Sequence, residues 1–93
     1  MKELDPILHS QLRLAVMSIL MNVDEADFLF LKEKTEATAG NLSVQLDKLS
    51  SVGYISIEKG FVGKSTRTVC RVTNVGRKAF ANYVETLKGY LNI

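Results

Sequence analysis

Ninety-three residues, 46% hydrophobic and 24% charged with a single proline, fit one small domain and exclude a disordered chain. One cysteine, Cys70, and one histidine, His9, exclude an internal disulfide, a paired-cysteine metal motif and a metal site built on the histidine alone. The net charge of +2 hides a split along the chain. Residues 1–37 carry Lys2, Arg13, Lys32 and Lys34 against seven acids, for −3, whereas residues 38–78 carry Lys48, Lys59, Lys64, Arg67, Arg71, Arg77 and Lys78 against Asp47 and Glu58, for +5. A basic central block in a near-neutral chain suits a polyanionic partner.

Asp5-Pro6 reads as a helix start, because Asp caps free amides and Pro fits the first helical position. No helix breaker follows over 7–21. Leu8, Leu12, Ala15 and Ile19 form one apolar stripe and Leu14, Met17 and Met21 another, so this helix is expected to be covered on two sides. One side should meet the core and the other a second subunit; the pattern leaves open which is which. Asn22-Val23-Asp24-Glu25 reads as a polar turn. Asp27 can cap a short second helix with Phe28, Leu29 and Leu31 apolar and Lys32, Glu33 and Lys34 exposed. After a turn at 35–37, Thr38 can cap a third helix over about 38–52. Leu42, Leu46 and Leu49 lie at i, i+4 and i+7 and make its buried stripe; Val52 extends the apolar run. Gly53 stands where a left-handed C-terminal cap is expected.

Residues 54–59 alternate in period two and read as a strand. Residues 60–65 read as a loop with two glycines, and 66–72, rich in β-branched residues, as the returning strand with Thr68, Cys70 and Val72 on one face. Cys70 is expected to be a small buried apolar residue. Thr73 caps the last helix, over about 74–92. Along it Phe80, Val84, Leu87 and Leu91 form a stripe that Tyr83 and Tyr90 widen. Two strands alone are not stable in water, so the hairpin must lie against the helices. The expected class is α+β, in the order helix, helix, helix, strand, loop, strand, helix, as a single domain spanning 1–93.

These residues resemble the winged helix-turn-helix transcriptional regulators, at the small end of the MarR- and ArsR-like families. Three segments carry the resemblance. Leu4-Asp5-Pro6-Ile7-Leu8 with Gln11-Leu12-Arg13-Leu14 is similar to the opening helix. Thr38-Ala39-Gly40-Asn41-Leu42-Ser43, with Leu46, Leu49 and Gly53-Tyr54, is similar to the recognition helix and the turn into the wing. Lys59-Gly60-Phe61-Val62-Gly63-Lys64, then Arg67-Thr68 and Val72-Thr73-Asn74-Val75-Gly76-Arg77, is similar to the wing and the start of the last helix. Asp47 departs from the pattern, standing where such helices often carry a basic residue. Metal-sensing relatives place cysteines on a helix, whereas Cys70 falls on a predicted strand, so metal sensing does not carry over.

The resemblance implies sequence-specific binding of double-stranded DNA, with the third helix in the major groove. With the leucines facing inward, the groove side falls to Gly40, Asn41, Val44 and Lys48, with Thr38, Ser43 and Gln45 at the margins. Asn and Gln can pair bidentately with adenine, and a Val methyl can meet a thymine methyl. Thr38, Ser43 and Lys48 suit phosphates, and Gly40 permits close backbone approach. The wing, about 60–67, would bring Lys64, Ser65, Thr66 and Arg67 to backbone or minor groove, with Phe61 and Val62 packed against the domain. A homodimer is implied, with Phe80, Tyr83, Val84, Leu87, Tyr90 and Leu91 of the last helix as its interface. The alternative is a winged-helix protein-interaction module within a larger assembly.

An enzyme is not expected. No nucleophile is paired with a base, and Gly60 and Gly63 lie between strands rather than before a helix, the wrong context for nucleotide binding. No cofactor is implied, and any small-molecule effector is left open. With no apolar run near ~20 residues and no signal peptide, neither membrane insertion nor export is expected and the location is expected to be cytoplasmic.

Overall fold

The structure, a computed structural model, describes residues 1–92; Ile93, the last residue of the expected domain, lies outside them. Three leucines set the frame. Leu42, Leu46 and Leu49 are all buried on one side of α3 (Ala39–Ser51). They share a core with Leu8, with Val16, Met17 and Leu20 of α1 (Gln11–Leu20), and with Leu31 of α2 (Phe28–Thr35). Ile55 and Cys70 close it from the sheet, and Tyr83 from α4 (Asn74–Leu91). Each full side chain so buried stabilises the fold by about 1.5–3 kcal/mol.

Local sequence chemistry ends most of these elements where expected. The Asp27 carboxylate accepts from the Phe30 N–H at 2.8 Å, the Thr38 hydroxyl from the Asn41 N–H at 3.2 Å, and the Thr73 hydroxyl from the Gly76 N–H at 3.0 Å. Gly53 leaves α3 at φ 80°, the left-handed conformation open to glycine at little cost.

The first helix begins later than its sequence suggests. Asp5 Oδ1 accepts from the Ile7 N–H at 2.8 Å, but this closes only a local turn. Ser10 is extended (φ −152°), and α1 starts at Gln11. Its buried face joins Met17 of the second expected stripe to Val16 and Leu20, which lie between the two; Leu12, Ala15 and Ile19 flank it on one side and Leu14 and Met21 on the other, all half-buried. A stripe centred between two flanks is how a helix apolar over a wide arc packs into one core. On α2, Leu31 is buried, but Leu29, expected on the apolar side, is 73% exposed. Val52, beyond the end of α3, is also exposed.

The sheet has three strands, not two. The pair β1 (Ala26–Asp27) is hydrogen-bonded to β3 (Ser65–Val72), which pairs on its other side with β2 (Ile55–Val62), giving the antiparallel order β1-β3-β2. Ala26 faces Cys70 and Asp27 faces Val69 across the first ladder. Two residues carry no readable periodicity, so β1 is invisible until β3 is beside it. The hairpin is also longer than expected. Val62 pairs with Ser65, leaving only Gly63 and Lys64 as the turn. Gly63, at φ 63°, supplies the positive φ that a two-residue hairpin turn needs at its first central position.

One close approach fixes α4. A Cβ at Gly76 would lie 2.0 Å from the Tyr54 carbonyl oxygen, so only glycine lets the helix start there. The Thr73 N–H donates to that carbonyl at 3.1 Å, and the Thr73 hydroxyl donates to the Gly53 carbonyl at 2.6 Å. The end of α3, the root of the hairpin and the start of α4 thus meet at one joint.

Candidate nucleic-acid interface

The outward side of α3 is built by subtraction. Burying three leucines leaves Thr38, Gly40, Asn41, Ser43, Val44, Asp47 and Lys48 exposed. Ser43 and Asp47 sit on the hairpin flank, where they line a shallow groove with Lys59 and Thr68. That groove carries the surface of α3 onto the hairpin. Asp47 is therefore turned toward the strands and toward a lysine.

Gln45 is placed differently from its neighbours. It is half-buried on the flank facing α1, and both ends of its amide are engaged. Arg13 Nη1 donates to its Oε1, while its Nε2 donates to Asn41 Oδ1 at 3.0 Å. Arg13 Nε also donates to the Ile7 carbonyl at 2.6 Å. Gln45 thus links α1 to Asn41 before it can address any ligand, and Arg13 escaped notice because its partner is 32 residues away.

The hairpin divides into a paired base and a bare tip. Outward-facing residues at its base form an ion-pair layer around Val69. Arg67 lies 3.6 Å from Asp27; Arg71 lies 2.7 Å from Glu25 and 3.4 Å from Glu58. Folding thus lays acids of the −3 segment over two arginines of the +5 block, and the charge excess read along the chain is partly cancelled in space. Exposed pairs of this kind contribute at most about 1 kcal/mol each, but they direct where the guanidinium groups sit. Lys64, Ser65 and Thr66 at the tip are exposed. So are Phe61 (76%) and Val62 (62%), which do not pack against the domain as expected. They lie in the outer, two-stranded part of the hairpin, outside the buried core.

The stripe on α4 is divided as well. Tyr83 is 5% exposed, and its hydroxyl lies 3.1 Å from His9 Nδ1, so it belongs to the core of its own chain. Phe80 and Leu87 are half-buried against that core, and Val84 is half-buried without joining it. The Tyr90 hydroxyl donates to the Lys2 carbonyl at 2.8 Å, while its ring and Leu91 remain exposed.

Two ionisable side chains of the scaffold are shifted by their surroundings. Burial pushes the Cys70 thiol up to about 11, so it stays protonated and unreactive at neutral pH. Tyr54 is pushed up to about 12, first by burial, then by the hydrogen bond its hydroxyl donates to Asp5 Oδ2 at 2.5 Å and by that carboxylate's charge. Among the described residues no cluster of His, Cys, Asp and Glu could hold a metal ion, and no helix is long and apolar enough to cross a membrane.

Comparison with known proteins places this geometry. A family model described as a winged helix DNA-binding domain matches residues 12–91. An uncharacterized protein of Methanocaldococcus jannaschii is 35% identical over 78 residues, spanning 84% of this chain and 85% of the relative. A transcriptional regulator homologue from Pyrococcus horikoshii is similar with a TM-score of 0.85 and 26% identity, over 92% of this chain and 85% of the other. Bacillus subtilis PadR, solved in complex with operator DNA, is similar in fold with a TM-score of 0.72 at 17% identity, over 81% of this chain and 47% of PadR.

Proposed function

The chain belongs to the winged helix DNA-binding domain family, and from that membership we propose that it is a sequence-specific transcriptional regulator of double-stranded DNA. The observation that carries the reading is the capped, leucine-anchored α3 with an exposed polar flank running onto a lysine-tipped hairpin. In this reading α3 enters the major groove, with Thr38, Gly40, Asn41, Ser43, Val44 and Lys48 toward the duplex. Lys48, Thr38 and Ser43 contact phosphates, and Asn41 and Val44 meet base edges. Lys64, Ser65 and Thr66 follow the backbone beside the groove, and Arg67 joins them by exchanging Asp27 for a phosphate. Gln45 supports Asn41 and takes no base of its own.

The functional unit is a homodimer. Val84, Tyr90 and Leu91, with the exposed sides of Phe80 and Leu87, are the surface that the fold leaves available along α4; Tyr83 contributes from beneath. Two α3 helices would then meet successive major grooves about one helical turn apart.

The test is a titration of labelled duplexes selected from a random pool. Affinity should fall about a thousandfold between about 50 and about 200 mM salt if each dimer neutralises about six phosphates, through Lys48, Lys64 and Arg67 of each subunit. Mass in solution should correspond to two chains. A second reading, a protein-interaction module, draws on the exposed Leu29, Phe61 and Val62. It is favoured instead if no duplex binds at low salt.

A further inference from the structure

We propose that Arg13 sets the polarity of a side-chain relay that presents Asn41 to the duplex as a hydrogen-bond donor, so that it rejects cytosine at the base it addresses. This rests on the reading of α3 as the groove-facing helix.

The relay has a direction because one end of it can only donate. A guanidinium carries five N–H groups and no acceptor, and it stays charged at any working pH. Arg13 spends Nε on the Ile7 carbonyl and Nη1 on the side chain of Gln45. Only the oxygen end of an amide can meet such a donor. Which way Gln45 points is therefore dictated by chemistry, unlike most amide side chains, whose two ends are hard to tell apart. With Oε1 held by Arg13, the other end of Gln45 is Nε2, and it donates to Asn41 Oδ1 one helical turn back. Asn41 is fixed in its turn: its oxygen faces residue 45, and its Nδ2 is the end left outward. Asn41 is exposed, and among the described residues no hydrogen bond uses Nδ2.

The base edges respond differently to such a group. In the major groove guanine offers the acceptors N7 and O6, thymine O4 and adenine N7 beside its amino donor, whereas cytosine presents only an amino donor. A bidentate pairing with adenine needs an amide with oxygen and nitrogen both turned to the base. Here the oxygen is turned along the helix. The donor end alone rejects cytosine, the one base whose edge carries no acceptor.

The experiment compares base preferences of the full chain and its variants on duplexes selected from a random pool. Asn41→Ala first identifies the position at which Asn41 matters. At that position the native chain should disfavour cytosine about fivefold or more against the other bases, the lower end of what one base contact discriminates. Gln45→Glu keeps the Arg13 contact through one oxygen but turns a second acceptor toward Asn41. Asn41 must then donate to residue 45 and face outward with Oδ1, so cytosine should become favoured with adenine while guanine and thymine, which offer no donor, become disfavoured, with some loss of overall affinity. Gln45→Leu severs the relay and should leave cytosine tolerated as well as the other bases, with an unchanged melting temperature as the check on folding. Duplex binding with a cytosine preference at that position, or with an unaltered preference in either variant, overturns the proposal and leaves DNA binding standing. Absence of duplex binding by the native chain overturns both.

Discussion

The two surfaces proposed to meet DNA are built by opposite means. The helix α3 is held from behind by three buried leucines, from its start by a capping threonine and from one side by Arg13 through Gln45. The outer half of the hairpin has its own ladder, a two-residue turn, one exposed ion pair from Arg67 to Asp27 and otherwise exposed side chains. A helix framed in this way can keep Asn41 at a fixed angle, as reading a base edge requires. A bare hairpin cannot hold such an angle, but it can adapt to a phosphate ridge, where charge matters more than direction. Its apolar tip, Phe61 and Val62, gains nothing from the fold and is available to whatever the hairpin meets.

The contrast is easiest to break from the helix side. Leu46→Ala should destabilise the fold by about 3 kcal/mol, through lost transfer energy and the cavity left behind, whereas Val62→Ala should stay within about 0.5 kcal/mol. Urea unfolding of both variants checks this, and equal losses would mean that the hairpin tip is packed after all. Next comes the tie between the exit of α3 and the start of the chain, Tyr54 with Asp5. The neutral phenol is favoured in the folded state, where Tyr54 is pushed up from 10.0 to about 12. Its contribution is therefore fully present below pH 10 and is lost as pH rises toward 12. Native protein should lose stability over that window more steeply than Tyr54→Phe, as read by melting temperature against pH.

Smaller effects sharpen the same comparison. Thr38→Ala removes one cap and should cost about 1 kcal/mol, with a larger proportional loss of DNA affinity if the first turn of α3 faces the groove. Arg67→Ala, at the base of the hairpin, should change stability by less than about 1 kcal/mol because the pair with Asp27 is solvent-exposed. Its effect should instead appear as a shallower dependence of duplex affinity on salt. An unchanged salt slope would leave Arg67 as a partner of Asp27 alone.

Much of the frame was legible in the sequence. The three caps, the leucine spacing of α3, the glycine after it, the alternation of β2 and the apolar stripe of α4 each depend on residues a few positions apart. Short-range geometry of that kind can be read from spacing, because 3.6- and 2-residue periods are properties of the chain itself. The start of α1 and the length of the hairpin were misplaced because both were settled by competition. Asp5 and Pro6 favour a helix, but the turn they begin gives way to an extended Ser10; Gly60 signals a loop, but pairing with Arg67 keeps it in the ladder.

What the chain determined by itself, then, was the set of elements with local signatures and the inward side of α3. What the tertiary structure alone decided was which distant residues meet. The strand β1 exists because β3 pairs with it. The acids Glu25 and Asp27 fold over arginines that the linear charge count had left free, and Tyr83 is drawn into its own core. Gly76 is required by a carbonyl 22 residues earlier in the chain, 2.0 Å from where a Cβ would stand. Arg13 reaches Asn41 through a glutamine contributed by another helix. Such contacts leave no period in the sequence, since the distance that governs them is measured through space.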